Sequence, residues 1–371
     1  MYEVYSFALL AWRFILYFAY RLGLRSCPTF RDMYPEGVVA FDRMMGWPRV
    51  LRPGGLEHCP KSGPVLFAAN HIKKDDPFIM YRTTHHAHQG AYPVRYMMRD
   101  DFFASMKKRR MLDIDELAVM AGAMLINREH PKLSQLRPFI QELLDGHGFI
   151  MYPSGTRTRS GLFFEYRDDN DEPGGMMFFI AQAQNRRPEL RVPAVPMART
   201  YNMITKKSAI ILGEPVYLPE GADKHVQRDL DFEMIRRVAA LVEVNVSQLV
   251  CGLLYLRVLH GLSAVVSKHE LVQDAGIALR KVTHPLVDPD AESTLVGQVT
   301  ATVEFLAASG CVMCSGDEIR IDRERVLSAP PLDTEYVKQN PVKYILNHVI
   351  HLADVVSALE HAVLDREPPA V

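Results

Sequence analysis

The amino-acid sequence predicts an α/β protein with a helical extension, and three observations carry that prediction. From Val65 to about Pro219, short apolar runs alternate with longer stretches of helical spacing, the pattern of strands joined by helices. From Asp223 onward the pattern turns mostly helical, with one β-like run at Glu318-Ile319-Arg320-Ile321. The chain opens on an apolar, aromatic segment, Val4 to Tyr20. The 371 residues thus divide into an N-terminal apolar helix (1–30), an α/β domain (31–222) and a mostly helical C-terminal region (223–371). A hydrophobic fraction of 48% over this length is enough for a packed core.

The N-terminal run is interrupted only by Ser6 and Arg13, and its 17 residues lie at the lower limit for crossing a bilayer. It lacks a basic leader and a small-residue cleavage site, so it does not read as a signal peptide. An arginine inside the run is costly in lipid, which favours a helix lying on the membrane surface. The alternative is a buried helix of a soluble domain. Arg21, Arg25 and Arg31 follow directly and put the rest of the chain on the cytoplasmic side.

Residues 31–64 form an irregular stretch with Pro and Gly. Val65 to Ala69 reads as a buried strand, Met124 to Ile126 as a second and Phe149 to Tyr152 as a third. Val192 to Met197 is a fourth, weakened by Pro193 and Pro196, and Ala209 to Leu212 a fifth. Leu136, Phe139, Ile140, Leu143 and Leu144 share one helix face, and Gly146 ends that helix. Ala239 to Val266 is apolar but carries Glu243, Asn245, Gln248, Arg257 and His260, so it reads as a core helix rather than a membrane span.

Composition narrows the function. With 43 Lys plus Arg against 44 Asp plus Glu, the net charge of −1 argues against a nucleic-acid partner. Five scattered cysteines argue against a disulfide framework. Cys311-Val312-Met313-Cys314 lacks the further ligands a zinc site needs, and His85-His86-Ala87-His88 closes the helix after Pro77, so no metal is expected.

Four of the strands end in polar residues: Asn70-His71 with Asp75 and Asp76, Asn127-Arg128, Ser154-Gly155-Thr156-Arg157 with Arg159, and Arg199-Thr200-Tyr201. Open α/β sheets bind ligands beyond the carboxyl ends of their strands. The pattern therefore suggests one site with a general base beside an anion cradle. Asp76 precedes Pro77, which suits a helix N-cap, and His71 lies in the short loop before it. A carboxylate holding one imidazole nitrogen leaves the other to accept a proton. The alternative is that Asp76 only caps a helix. There is no G-x-S-x-G nucleophile elbow, so the base would act on a substrate hydroxyl.

Asn70-His71-Ile72-Lys73-Lys74-Asp75-Asp76-Pro77 resembles the N-H-x4-D first motif of the glycerol-phosphate acyltransferases, the family of lysophosphatidic acid and glycerol-3-phosphate acyltransferases. Gly122 to Arg128 resembles their second block, Tyr152-Pro153-Ser154-Gly155-Thr156-Arg157 their third (F-P-E-G-T-R), and Val192 to Pro196 their fourth. The resemblance spans about residues 45–220, with four blocks in order. It implies a mixed central sheet flanked by helices, with His71 as base and Asp76 as its orienting partner. It also implies Arg128 and Arg157 on the acceptor phosphate, with Gly155, Thr156, Arg159 and Lys73 beside them. The implied donor is acyl-CoA or acyl carrier protein, with no cofactor, and the implied setting is membrane lipid; oligomeric state is left open. Ser154 stands where the family carries Glu. The acceptor signals divide between 1-acyl-glycerol-3-phosphate, which the overall look favours, and glycerol-3-phosphate. A non-catalytic lipid-binding module and a thioester hydrolase are the readings from other classes.

Overall fold

A computed structural model describes residues 2–28, 51–100, 113–127, 132–165, 175–331 and 334–365. Arg31, Arg128, the acidic segment 168–172 and the tail 366–371 lie outside the described residues. The chain forms two compact units: one of Met1–Thr156, Glu172–Arg199 and Ala209–Val238, the other of Arg157–Asp171, Thr200–Ser208 and Ala239–Val371. The first unit thus runs past the expected boundary at 222, and the second takes in short segments that follow two of the strands.

The first unit opens on helix α1 (Tyr2–Arg21). Strand β1 (Leu51–Gly54) leads to β2 (Val65–Ala69), α2 (Asp76–Ala87) and β3 (Val94–Arg99). Then come α3 (Ile114–Met120), β4 (Ala123–Ile126), α4 (Leu133–Leu144) and β5 (Gly148–Met151). Helix α5 (Met176–Arg186), β6 (Pro193–Tyr201), β7 (Ser208–Leu212), the short β8 (Val216–Tyr217) and α6 (Lys224–Ala240) follow.

The strands form one sheet in the order β1-β7-β6-β2-β5-β3-β4, with β8 paired antiparallel to β6. β6, β2, β5, β3 and β4 run parallel. Every residue of β2 and β5 is buried, as expected of strands covered by helices on both faces. The parallel register aligns Ala68 with Met151 and Ala69 with Met197, so β2 and β5 end close together while β6 runs on past them to Tyr201. That alignment positions the polar residues that follow each strand. All five expected strands form, and the helix expected from Leu136 to Leu144 is α4. Strand β3, between β5 and β4, was not expected. Its sequence, Val-Arg-Tyr-Met-Met-Arg, breaks the apolar run, and Arg95 is there because it pairs with Glu142 of α4 at 2.8 Å.

Helix α1 docks on α3 by one polar face. The Tyr17 hydroxyl accepts from the Asp113 N–H at 2.8 Å, and Arg21 pairs with Glu116 at 2.8 Å. Trp12, Ile15, Leu22 and Leu24 remain 52–76% exposed on this helix and the turn after it. No helix among the described residues is long and apolar enough to cross a membrane.

The second unit centres on α7 (Val246–Leu259), the core helix expected within 239–266. Its Arg257, nearly buried, pairs with Glu270 at 3.0 Å and Asp274 at 3.5 Å, which accounts for a charge in so apolar a segment. Strand β9 (Val265–Ser267), α8 (Lys268–Lys281), α9 (Leu295–Ala308), β10 (Val312–Ser315) and β11 (Glu318–Ile321) follow. Helices α10 (Arg323–Leu327), α11 (Tyr336–Gln339), α12 (Pro341–Asn347) and α13 (Ala353–Leu364) complete the unit. β10, β11 and β9 form a small antiparallel sheet that contains the expected β-like run. All five cysteines are free thiols.

Candidate active site

His71 and Asp76 meet where β2 leaves the sheet. His71 Nδ1 lies 2.7 Å from Asp76 Oδ2. The same oxygen accepts from the N–H groups of Ile72 at 2.6 Å and Lys73 at 2.7 Å. Asp76 is not the N-cap that the sequence suggested. Asp75 holds that position without a side-chain cap, and Asp76 is the first helical residue, followed by Pro77. The physical reason is that the Asp76 carboxylate is turned back over the loop by three donors from residues 71–73. It caps the loop that carries the histidine rather than the helix.

Asp76 is completely buried, and its other oxygen, Oδ1, accepts from Arg199 Nη1 at 2.6 Å. Burial pushes the carboxyl up. The His71 hydrogen bond, the Arg199 charge and the Lys73 N–H outweigh it and hold the group below its ordinary value, so Asp76 is a carboxylate at neutral pH. With Nδ1 committed to Asp76, the free ring nitrogen of His71 is Nε2. The imidazole also stacks on Tyr152, with ring centres 4.4 Å apart and planes 26° apart. One contact at the ring edge and one on its face fix the imidazole.

The third block begins as a tight turn after β5. Gly155 adopts φ +60°, a left-handed conformation that L side chains adopt rarely, and its N–H donates to Tyr152 O at 2.8 Å. Ser154 Oγ donates to Thr156 O at 2.8 Å, so the serine is used to close this turn. Lys73 contributes its backbone N–H to Asp76, as above. Arg128 lies outside the described residues.

In the second unit, Arg157 and Arg159 sit in a loop organised by Glu165. One Glu165 oxygen accepts from Thr158 Oγ1 (2.8 Å), Arg159 N (2.7 Å), Ser160 N (2.6 Å) and Ser160 Oγ (2.6 Å). The C-terminal helices hold the same loop. Tyr336 N donates to Arg159 O at 3.0 Å, and Asn347 Nδ2 donates to Ser160 O at 2.9 Å. Gly161 has no room for a side chain, because a Cβ would lie 2.1 Å from Tyr344 O. Arg157 Nη2 pairs with Glu335 at 3.1 Å, and this arginine together with Lys338 keeps the Glu335 carboxyl below its usual value. Glu165 and Glu335 were not singled out from the sequence. Glu165 follows Thr158 by seven residues, but a lone glutamate in a loop gives no sequence signal, and Glu335 lies 178 residues from Arg157, too far for any local pattern to connect them.

The parallel strands thus carry a His71–Asp76 pair, held at 2.7 Å, just past the carboxyl end of β2. The chain matches the Acyltransferase family model over residues 51–200. The crystal structure of the 1-acyl-sn-glycerophosphate (LPA) acyltransferase PlsC from Thermotoga maritima aligns with a TM-score of 0.37 and 16% sequence identity, over 64% of this chain and 95% of that one. No curated protein matches. Residues 51–200, the segment that carries His71, Asp76 and the turn at Gly155, are thus similar to acyltransferase domains.

Proposed function

We propose that the protein moves a fatty acyl group from acyl-CoA or acyl carrier protein to the hydroxyl of a glycerol-phosphate acceptor, with 1-acyl-glycerol-3-phosphate preferred to glycerol-3-phosphate. The observation that carries this reading is the His71–Asp76 contact, with Nδ1 held and Nε2 left to act. Nε2 takes the proton of the acceptor hydroxyl, and the oxygen forms a bond to the thioester carbonyl carbon. The C–S bond then breaks, and the thiolate leaves with the proton held by the imidazolium. An alcohol and a thioester become an ester and a thiol, so the balance needs no cofactor. In this reading Arg128 and Arg157 take the acceptor phosphate, for which guanidinium forks are suited, with Arg159, Lys73, Gly155 and Thr156 supporting.

The test is purified protein in detergent with radiolabelled acyl-CoA and three acceptors: glycerol-3-phosphate, lysophosphatidic acid and a lysophospholipid with a larger head group. Turnover of none of them would mean a non-catalytic lipid-binding module, and acid release without acceptor would mean a hydrolase. Arg157→Ala is expected to raise acceptor KM by roughly 10- to 100-fold, the loss of a hydrogen bond to a charged group, with donor KM little changed. An unchanged acceptor KM removes the phosphate role. Ser154→Glu is expected to maintain or raise the rate. A gain with glycerol-3-phosphate alone would reverse the acceptor preference.

Membrane attachment through α1, with the α/β domain on the cytoplasmic side, belongs to the same proposal. Its support is the exposed Trp12, Ile15, Leu22 and Leu24, opposed by a docked face at Tyr17 and Arg21. Removing residues 1–25 is expected to shift the protein from vesicle-bound to free in a flotation assay. Unchanged flotation would place the contact elsewhere.

A further inference from the structure

Arg199 lies in the last three residues of β6, and from the sequence it reads as one more arginine of an anion cradle. The structure turns it the other way. Its side chain is 1% exposed. Nη1 donates to Asp75 Oδ1 at 2.9 Å and to Asp76 Oδ1 at 2.6 Å, and Nη2 reaches Asp75 Oδ2 at 3.4 Å. Its backbone is held as firmly. Asn70 Nδ2 donates to Arg199 O at 2.9 Å, and Arg199 N donates to Asn70 Oδ1 at 2.8 Å. Asn70 has left strand β2, yet its amide pairs with β6 as a strand residue would. The residue before the histidine and the guanidinium behind the aspartate are thus fixed by one residue of the neighbouring strand.

We propose that Arg199 is a positioning residue for the His71–Asp76 pair: its guanidinium locks Asp76 Oδ1, so that Oδ2 stays on His71 Nδ1, and its charge offsets the two adjacent carboxylates. This rests on the reading of His71 as the base. The geometry divides the labour between the two Asp76 oxygens. Oδ2 serves the loop and the imidazole, and Oδ1 serves Arg199. A carboxylate held on both sides cannot rotate away from the histidine. Without the guanidinium, Asp75 and Asp76 would place two negative charges next to each other, one of them fully out of water.

The charge balance gives a sign that a merely structural role lacks. The titratable and charged groups around His71 are Asp76 at the start of α2 and Asp75 at its N-cap, Lys73 on its own loop, Tyr152 stacked on the ring, Tyr96 of β3 beside Tyr152, and Arg199 from β6. Removing the one buried cation leaves the carboxylates to hold a proton more tightly on His71. A base must be neutral to act, so the acid limb of the rate profile moves to higher pH.

Arg199→Met and Arg199→Lys are compared with wild type by thermal melt, by kcat and acceptor KM across pH, and by 15N–1H NMR titration of 15N-histidine-labelled protein. For Arg199→Met, kcat is expected to fall roughly 10- to 100-fold with acceptor KM within about twofold, and the acid limb and the His71 titration to move up by about one pH unit. Arg199→Lys is expected to recover part of both. Asp75→Asn, which removes a negative charge from the same cluster, is expected to move the limb the opposite way and serves if Arg199→Met does not fold. An unmoved His71 titration in Arg199→Met, or an unmoved limb in Asp75→Asn, overturns the proposal. So does a raised acceptor KM at constant kcat, which would make Arg199 an anion ligand. A moved His71 titration in a protein whose His71→Ala form is fully active would instead overturn the base reading while leaving the lock in place.

Discussion

His71→Ala is expected to lower kcat by roughly 10²–10⁴, the usual worth of a positioned general base, while the melting temperature changes little. Two contacts disappear with the ring: the hydrogen bond to Asp76 and the stack on Tyr152. Neither leaves a buried charge alone. Asp76 Oδ2 keeps the Ile72 and Lys73 N–H groups, and Oδ1 keeps Arg199. The vacated space opens at the edge of the sheet, where the His71 side chain is 19% exposed, so water can enter it. The loss should therefore fall on the rate and not on the fold. The measurement is single-turnover transfer from acyl-CoA, with thermal melts on the same preparation. A variant that keeps more than about a tenth of the wild-type rate would remove His71 as the base. Added imidazole is expected to restore part of the rate, because only the proton acceptor is missing.

The first block was legible because it is local. Asn70, His71, Asp76 and Pro77 lie within eight residues, and a short loop before a helix brings the imidazole to the carboxylate. What the sequence could not show is which oxygen does what. Asp76 takes on the loop N–H groups and Arg199 together, and Arg199 lies 123 residues away. Only the placement of β6 directly beside β2 brings them into contact. The same holds for Glu335 on Arg157, 178 residues apart, and for Asn347 on Ser160, 187 apart. Strand β3 escaped notice for a different reason. A strand inside a parallel sheet is expected to be continuously apolar, but Arg95 at its second position pairs with Glu142, and that pairing hides the strand from a hydrophobicity reading.

Asp76→Asn is expected to damage both rate and stability, and the reason lies in the count of donors around it. Every group facing this side chain is a donor: His71 Nδ1–H and two backbone N–H groups on Oδ2, and Arg199 on Oδ1. A carboxylate accepts all of them, whereas an amide must point its NH₂ at some of them. If the amide oxygen takes the Oδ2 place, the NH₂ meets the Arg199 guanidinium, and a buried cation loses its fully buried partner. If it turns over, the NH₂ meets the two backbone N–H groups. His71 must then present Nδ1 as acceptor, with its proton moved to Nε2, where the substrate proton should go. The first arrangement costs stability, on the order of 3–5 kcal/mol for a broken buried ion pair. The second costs rate, roughly 10²–10⁴. The pH dependence separates this from a simple packing defect. In the wild type the carboxyl is held below its ordinary value, so its contribution to stability is complete above the unfolded-state value and is lost as pH falls through the folded-state value. Asparagine has no such dependence. The melting temperatures of wild type and Asp76→Asn should therefore differ widely at pH 7 and converge in acid. Equal melting temperatures at pH 7, or a gap that does not narrow below about pH 4, would show that Asp76 does not carry the charge assigned to it.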